Sequence, residues 1–317
     1  MTRRATSHPA ARATADRVAP LAGDEPLIDV HAHFYHAECG RADWADVNAA
    51  RFRAGDRIGI SYHVASVLGT YGHRSPTYFP SPEDVVLGND AMLAIAERES
   101  ARVCMYATVN PNYTGHALAE IERSAARGAV GVKLLASRRA DDPLLDPIAE
   151  LAAERGLPIL HHIWQHRRRE WPSQEISDGA DLARLAGRHP RATFILAHIG
   201  GGGDWAHTFP AIADFPNILP DLSGSGVDRG MLDAALDALG PERLLWGCDL
   251  TMETGLAKLR ALDAIGLEPA KLALIRWRNA VRIFPAGTFT KLSDESQGPH
   301  GSVAKAGRGP AVAGRYR

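Results

Sequence analysis

Residues 27–33 read LIDVHAH, an apolar run that ends in two histidines spaced one residue apart. Seven further runs of similar length follow along the chain, rich in Val, Ile and Leu and without a helical period. They are ISYHVASVLG (60–69), RVCMYATVN (102–110), GAVGVKLLA (128–136), LPILHHI (157–163), ATFILAHI (192–199), NILPDLSG (217–224) and RLLWGCDL (243–250). Such runs are typical of strands that are buried on both faces of a parallel sheet.

Helix-forming segments separate these runs, and three of them have clear end signals. One begins at Ser81-Pro82, a second runs from Asp146-Pro147 to Gly156, and a third runs from Asp228 to Gly240. Eight strand–helix units in about 260 residues predict an α/β fold, a (β/α)8 TIM barrel. An open, doubly wound sheet also alternates in this way, but the even spacing of the eight runs favours closure.

The two ends of the chain differ from the middle. Residues 1–24 and 288–317 show no periodic apolar face, so we expect a flexible N-terminal tail and a disordered C-terminal tail around one barrel domain over 25–287.

Composition narrows the class of protein. The net charge of −1 argues against a nucleic-acid or membrane-surface partner, and no apolar run approaches the ~18 residues of a membrane span. Three cysteines without a CxxC pair indicate a reducing, cytoplasmic location. We expect a small-molecule substrate. The sequence is compatible with a homodimer but does not indicate one.

Histidines and aspartate stand where four of the runs end. These residues are His31, His33, His161, His162, His198 and Asp249. In such barrels the catalytic groups lie at the carboxyl ends of the strands. Alternation along a strand predicts that His31 and His33 point to one side, with Asp29 one step lower. Imidazole and carboxylate groups suit Zn²⁺ first, with Mn²⁺, Fe²⁺ or Ni²⁺ as alternatives.

The ordered motifs carry a family resemblance. IDVHAHF, GVKLLAS, LPILHHI, FILAHIGG, LLWGCDL and RNAVRIF resemble the successive motifs of the amidohydrolase superfamily over about residues 26–286. They are most similar to its amidohydrolase-related branch, which includes the aminocarboxymuconate-semialdehyde-type decarboxylases. The resemblance implies that His31, His33, His162 and Asp249 bind a divalent metal ion. It also implies that His198 lies beside the bound water or substrate, and that Asp249 takes part in catalysis.

Several neighbouring residues leave alternatives open. His161 and His162 are consecutive, so their side chains point to opposite faces of the strand. With His162 as the metal ligand, we expect His161 to face the surrounding helices. Lys133 is open to three roles: a carboxylated bridge between two metals, a ligand of a substrate carboxylate, or a buried ion pair. Arg74 and Arg138 follow strands and predict an anionic, carboxylate-bearing substrate.

The expected function is metal-dependent hydrolysis, in which metal-bound water attacks an amide, ester or lactone. The first alternative is metal-dependent, nonoxidative decarboxylation of a small unsaturated or aromatic acid, and the second is a non-catalytic barrel that binds a metal or ligand. Ile163 stands where decarboxylase-like relatives commonly have proline, which favours the hydrolase. Cys248 stands where the family usually has Ser or Thr, before the expected ligand Asp249.

Overall fold

The computed structural model describes residues 25–67, 75–163, 170–171, 174–199, 204–224, 226, 229–249 and 255–295. The strands in these ranges are β1 (Leu27–Phe34), β2 (Ile60–Val67), β3 (Val103–Val109), β4 (Ala129–Leu134), β5 (Ile159–His161), β6 (Glu170–Trp171), β7 (Gln174–Glu175), β8 (Phe194–Leu196) and β9 (Ile218–Pro220). The α-helices are α1 (Trp44–Ile58), α2 (Pro82–Arg98), α3 (Thr114–Ala125), α4 (Asp146–Arg155), α5 (Gly179–Arg188), α6 (Trp205–Ile212), α7 (Arg229–Leu239), α8 (Gly255–Asp263), α9 (Pro269–Ala273), α10 (Asn279–Ile283) and α11 (Thr290–Glu295). Within these ranges, no helix is both long enough and apolar enough to cross a bilayer.

Seven strands form one parallel sheet in the order β1-β2-β3-β4-β5-β8-β9. The eighth apolar run, at residues 245–249, closes this sheet on itself. On one side Leu245 N donates to Pro220 O at 3.1 Å, and on the other Asp249 N donates to His31 O at 2.7 Å. Parallel bridges join the same segment to β1 and to the residue after β9. The fold is therefore TIM-barrel-like, as the eight runs predict.

Two of the predicted helix signals are confirmed at atomic detail. Ser81 caps α2, because its side chain accepts a hydrogen bond from Asp84 N at 3.2 Å. Gly156 ends α4 with φ of 65°, a left-handed conformation that glycine adopts without a steric cost. Asp228, the expected start of the third helix, lies outside the described residues.

Apolar side chains form an inner and an outer layer around the sheet. The inner layer fills the barrel and includes Val30, Tyr106, Leu160 and Leu245. The outer layer packs the other face of the strands against the helices. Because both faces are covered, the strands are apolar throughout, which explains the continuous runs in the sequence.

A register shift in β1 separates Asp29 from the two histidines. Asp29 pairs with His63 and Ala32 with Ala65, so β1 contains one residue more than β2 over this interval. The extra residue is a β-bulge, and it reverses the alternation of side chains. The expectation that Asp29 points with His31 and His33 is therefore wrong, because Asp29 faces α1.

The start of the predicted C-terminal tail also differs from expectation. Residues 290–295 form α11, and Phe289 and Leu292 are buried against the inner layer. Phe289 packs its ring on Tyr62 with centroids 5.2 Å apart. Apolar contact therefore orders the chain at least to residue 295, although the local sequence has no periodic apolar face. Residues 1–24 and 296–317 lie outside the described part of the chain.

Candidate metal centre

The expected ligands from opposite ends of the sequence meet at the carboxyl end of the barrel. The bulge in β1 turns His31 and His33 inward, and their Nε2 atoms are 3.1 Å apart. Asp249 lies opposite, with Oδ1 at 3.3 Å from His33 Nε2 and 3.9 Å from His31 Nε2. Barrel closure makes this possible, since Asp249 is hydrogen-bonded directly to β1.

His198 completes a compact group of donor atoms. Its Nδ1 is 3.4 Å from Asp249 Oδ2. One ligand atom from each of His31, His198 and Asp249 lies within 4.8 Å of the others, which is compatible with one metal ion. His162 joins the group through His198, with Nδ1 2.8 Å from His198 Nε2. The sequence-predicted metal residues and His198 are thus gathered in one cluster.

Two residues of this cluster have unusual backbone conformations. His198 has φ of 69° and Asp249 has φ of 59°, and they are the described non-glycine residues with positive φ. This left-handed region costs of order 1 kcal/mol for such residues. Each stands at the carboxyl end of its strand segment, beside the other residues of the cluster. Backbone strain of this kind concentrates at functional sites.

The structure adds to the site three residues that the sequence analysis did not assign to it. Asp221 Oδ2 lies 2.9 Å from His31 Nδ1, and Ser223 Oγ lies 3.1 Å from the same nitrogen and 3.2 Å from His198 Nδ1. Ser66 Oγ lies 3.0 Å from His33 Nδ1. These groups orient the rings and leave Nε2 of His31 and His33 toward the cluster. Asp221 and Ser223 are two and four residues after Leu219, which faces the barrel interior. Alternation along the strand could therefore have placed both of them in the site.

Gly247 allows Asp221 and Ser223 to pack closely around His31. A Cβ on Gly247 would lie 3.2 Å from His31 Cβ, 3.3 Å from Asp221 Cγ and 3.3 Å from Ser223 Cβ. Any larger residue would therefore push apart the pair that orients His31.

The protonation states suit metal binding. Burial lowers the pKa of His31 and His162 well below the ordinary histidine value, and neighbouring Lys133 and His198 add to the effect. Burial also lowers the pKa of His33 and His198, although Asp249 opposes it. For Asp249, burial opposes ionisation, but His198 and His33 outweigh it and hold the pKa well below its usual range. Neutral imidazoles beside an ionised carboxylate are the forms that bind divalent transition metals.

Lys133 enters the cluster from β4. It is buried, and its Nζ is 2.9 Å from His31 Nε2. Burial lowers the pKa of its ammonium to about 8, while Asp249 and Asp221 act in the opposite direction. The Lys133 ammonium therefore lies beside the candidate metal-ligand atoms, on the inner wall of the barrel.

The other predicted residues lie elsewhere. His161 is buried among the outer layer, where its Nδ1 donates to His162 O at 3.0 Å, and burial lowers its pKa to about 4. Arg138 is 38% exposed, donates to Asn112 Oδ1 at 2.6 Å and lies 3.6 Å from Asp142. The structure therefore does not bring Arg138 into the histidine cluster. Arg74 lies outside the described residues.

The sequence matches a family model described as amidohydrolase over residues 28–286, most of the chain. The chain belongs to the amidohydrolase family. This confirms the resemblance of the ordered motifs and the expectation of an enzyme. No curated protein matches the sequence.

Solved structures of similar fold include several decarboxylases. The 2,6-dihydroxybenzoate decarboxylase from Rhizobium is 17% identical, with a TM-score of 0.64 over 82% of this chain and 98% of that chain. The 5-carboxyvanillate decarboxylase from Sphingomonas paucimobilis is 17% identical, with a TM-score of 0.63 over 82% and 99%. A dihydroxybenzoic acid decarboxylase from Polaromonas sp. JS666, with bound manganese and 2-nitroresorcinol, is 18% identical, with a TM-score of 0.64 over 82% and 96%. At these identities the similarity shows the fold.

Proposed function

We propose that this amidohydrolase-family protein is a divalent-metal-dependent, nonoxidative decarboxylase of a small aromatic or unsaturated acid. The observation that carries the proposal is the 2.9 Å contact between Lys133 Nζ and His31 Nε2, which sets a buried cation beside a cluster of metal donors. A carboxylate bound there would interact with both. The fold neighbours named as decarboxylases support this reaction over the hydrolysis that the sequence pattern favours first.

The proposed metal ligands are His31, His33, His162 and Asp249. Their chemistry fits a divalent transition metal, because they offer neutral imidazole nitrogens and an ionised carboxylate. Manganese joins zinc as a leading candidate, since the Polaromonas enzyme of the same fold holds it. A bound divalent ion would supply Lewis-acid polarisation of the substrate.

Lys133 is the proposed ligand of the substrate carboxylate. Its ammonium is desolvated, so an ionic hydrogen bond to it would be stronger than one at the surface. Arg74 and Arg138 are proposed as outer cationic groups that attract the acid. Arg138 would have to leave Asn112 and Asp142 to reach the substrate, so Lys133 is assigned the larger share of binding.

Asp249 and His198 are the proposed catalytic pair. Loss of carbon dioxide breaks the bond to the carboxyl carbon and leaves the electron pair on the adjoining carbon, which must then receive a proton. His198 Nδ1 and Asp249 Oδ2 are 3.4 Å apart, close enough to pass a proton as the site tightens around substrate. We propose that this pair delivers the proton: His198 takes up a proton from solvent and passes it through Asp249 to the carbon, so that the neutral imidazole and the ionised carboxylate are restored.

An aromatic or otherwise planar substrate is proposed, because an aromatic side chain lies beside the cluster. The ring of Tyr78 lies against His162 with centroids 5.5 Å apart and planes at 46°. Burial raises the pKa of the Tyr78 hydroxyl, and the Asp249 charge adds to the shift, so this hydroxyl stays protonated and can donate a hydrogen bond. An offset-stacked ring is the arrangement that aromatic side chains prefer.

Hydrolysis of an amide, ester or lactone is the second candidate. The ionised Asp249 beside His198 favours it, since such a pair can also accept a proton from water. A carboxylated Lys133 bridging two metals would favour hydrolysis further, and the metal content per chain tests for such a bridge.

Product analysis separates the two candidates. Protein loaded with Mn²⁺ or Zn²⁺ is incubated with hydroxybenzoates and with the corresponding amides, esters and lactones. We expect carbon dioxide release from an acid, lost in Asp249→Asn. Hydrolysis without carbon dioxide release would replace the proposal by the second candidate, and turnover that is unchanged after metal removal would contradict both.

The remaining features are proposed with the function. They are one catalytic domain over 25–287, extended by α11 to residue 295, with flexible tails beyond it, a cytoplasmic location, a small-molecule substrate and a homodimeric assembly. The net charge of −1 and the absence of a CxxC pair in the sequence support the location and the substrate class.

A further inference from the structure

Asp29 lies behind the candidate metal centre and ties two ligand-bearing segments together. It is buried, and its Oδ1 accepts from His31 N at 3.2 Å and from Cys248 N at 2.9 Å. One carboxylate oxygen therefore holds the backbone of β1 at a ligand and the backbone of the closing segment one residue before Asp249. The bulge interrupts the regular pairing of β1 with β2 at this point. The Asp29 side chain therefore holds these two backbone N–H groups where strand pairing is irregular.

Arg51 approaches the same point from helix α1. It is 6% exposed, its Nη2 donates to Asp29 Oδ2 at 3.0 Å, and its Nη1 donates to the carbonyl oxygen of Asp249 at 2.6 Å. The planar guanidinium thus grips Asp29 and the backbone of Asp249 at once. Only arginine has two donors in this fixed geometry.

The contact of Arg51 with the Asp249 carbonyl lies at a residue with an unfavourable backbone conformation. Asp249 has φ of 59°, a conformation that an aspartate holds only when its surroundings impose it. Its N–H is already used by His31 O, and Arg51 holds its carbonyl. The peptide is therefore fixed at both ends, and the direction of the carboxylate follows from it.

Close packing of α1 brings Arg51 within reach. Gly55, one turn later on the same helix face, lies against His63, whose Nδ1 is 3.0 Å from Asp29 Oδ2. A Cβ on Gly55 would be 3.0 Å from His63 Nε2. Helix α1, strand β2 and Asp29 are thus packed together.

We propose that Arg51 and Asp29 form a clamp that positions Asp249 and His31 for metal binding, acting through their backbones and not as ligands. The proposal rests on the proposed metal site. It assigns to α1, which carries none of the expected ligands, control over the geometry and affinity of that site.

Metal affinity measured apart from turnover tests the clamp. The dissociation constant for Mn²⁺ is determined by competition with a chelating dye for the wild type, Arg51→Met, Arg51→Lys and Asp29→Asn. Substitution of residues that hold metal ligands in place weakens metal binding about 10- to 100-fold. We expect that loss for Arg51→Met and a smaller one for Arg51→Lys, since an ammonium can replace only part of the two-point contact.

Arg243→Met is the matched control. Arg243 is half-buried and, like Arg51, donates to backbone carbonyls, among them those of Ile212 and Ile218, but at the opposite end of the barrel. We expect it to lower the thermal midpoint and to leave Mn²⁺ affinity within twofold.

Each outcome of the comparison is decisive. Arg51→Met with unchanged Mn²⁺ affinity, in a wild type that binds the ion, would overturn the clamp and leave the metal site intact. A wild type that binds no divalent metal would overturn both. If Arg51→Met does not fold, Asp29→Asn decides, because the amide keeps the shape but loses the charge that Arg51 grips. An altered electron paramagnetic resonance spectrum of bound Mn²⁺ would show that ligand geometry has changed.

Discussion

Asp221 Oδ2 lies 2.9 Å from His31 Nδ1, so a buried carboxylate directly after β9 sets the orientation of a ring on β1. With Nδ1 committed to Asp221, Nε2 of His31 is left toward Asp249 and Lys133. Carboxylate–histidine pairs of this kind fix the tautomer and raise the basicity of a metal-binding nitrogen.

Asp221→Asn should therefore weaken metal binding about 10- to 100-fold with little change in fold. The amide is nearly isosteric but carries no charge, so the His31 tautomer is no longer enforced. Mn²⁺ affinity by dye competition checks this. Ser223→Ala is the milder comparison, and an Asp221→Asn protein that binds Mn²⁺ as tightly as the wild type would show that Asp221 does not orient His31.

Asp249→Asn should reduce the metal content from one ion per chain to well below one. It should also reduce turnover about 10²–10⁴-fold, since Asp249 is both a proposed ligand and part of the proton-transfer pair. Plasma mass spectrometry of untagged protein purified without chelator measures the metal. Asp263→Asn, on the exposed end of α8, is the control. Two ions per wild-type chain would instead assign Lys133 a bridging role.

Lys133→Met should raise KM for a carboxylate substrate about 10- to 100-fold, because a buried ionic hydrogen bond is lost. Arg138→Met should change KM by less than about threefold, since Arg138 is bonded to Asn112 and Asp142 away from the cluster. Steady-state kinetics on both variants give the comparison. A larger effect of Arg138 would make it the main carboxylate ligand.

Stability should fall between pH 6.5 and pH 4 in the apo protein. Burial lowers the pKa of His161 to about 4, so in this interval the unfolded chain binds a proton that the folded chain does not. Since stability falls when the unfolded state binds more protons, His161 alone should cost about 2 kcal/mol at pH 5 relative to pH 7.

Urea unfolding of apo His161→Gln tests this assignment. The slope of unfolding free energy against pH between 6 and 5 should decrease by about 1.2 kcal/mol per pH unit relative to the wild type. His116→Gln, on the outer helix α3, serves as control for loss of a histidine. An identical slope in His161→Gln and wild type would assign the acid sensitivity to the histidines of the metal cluster.

The sequence predicted much of the fold because its signals are local. The eight apolar runs correspond to β1–β5, β8, β9 and the closing segment at 245–249, and Ser81 and Gly156 mark helix ends where expected. Burial on both faces of a strand and capping of a helix act over a few residues. Alternation predicted that only one of His161 and His162 faces inward, and the family resemblance chose His162, which agrees with the contacts of both rings.

Other features of the site depend on register, which short-range patterns do not encode. The bulge in β1 separates Asp29 from His31 and His33 and directs Asp29 to Arg51. The order of the chain after residue 287 likewise comes from contact between Phe289 and Tyr62, residues far apart in sequence.

The sequence by itself determined the alternating α/β architecture, the family and the residue types that stand at the ends of the strands. Only the tertiary structure decided that Asp249 reaches His33, that Asp221 orients His31, and that Arg51 holds the backbone of Asp249. The reason is physical. Secondary structure follows from local periodicity, whereas a metal-binding geometry requires barrel closure to bring together segments that lie up to about two hundred residues apart.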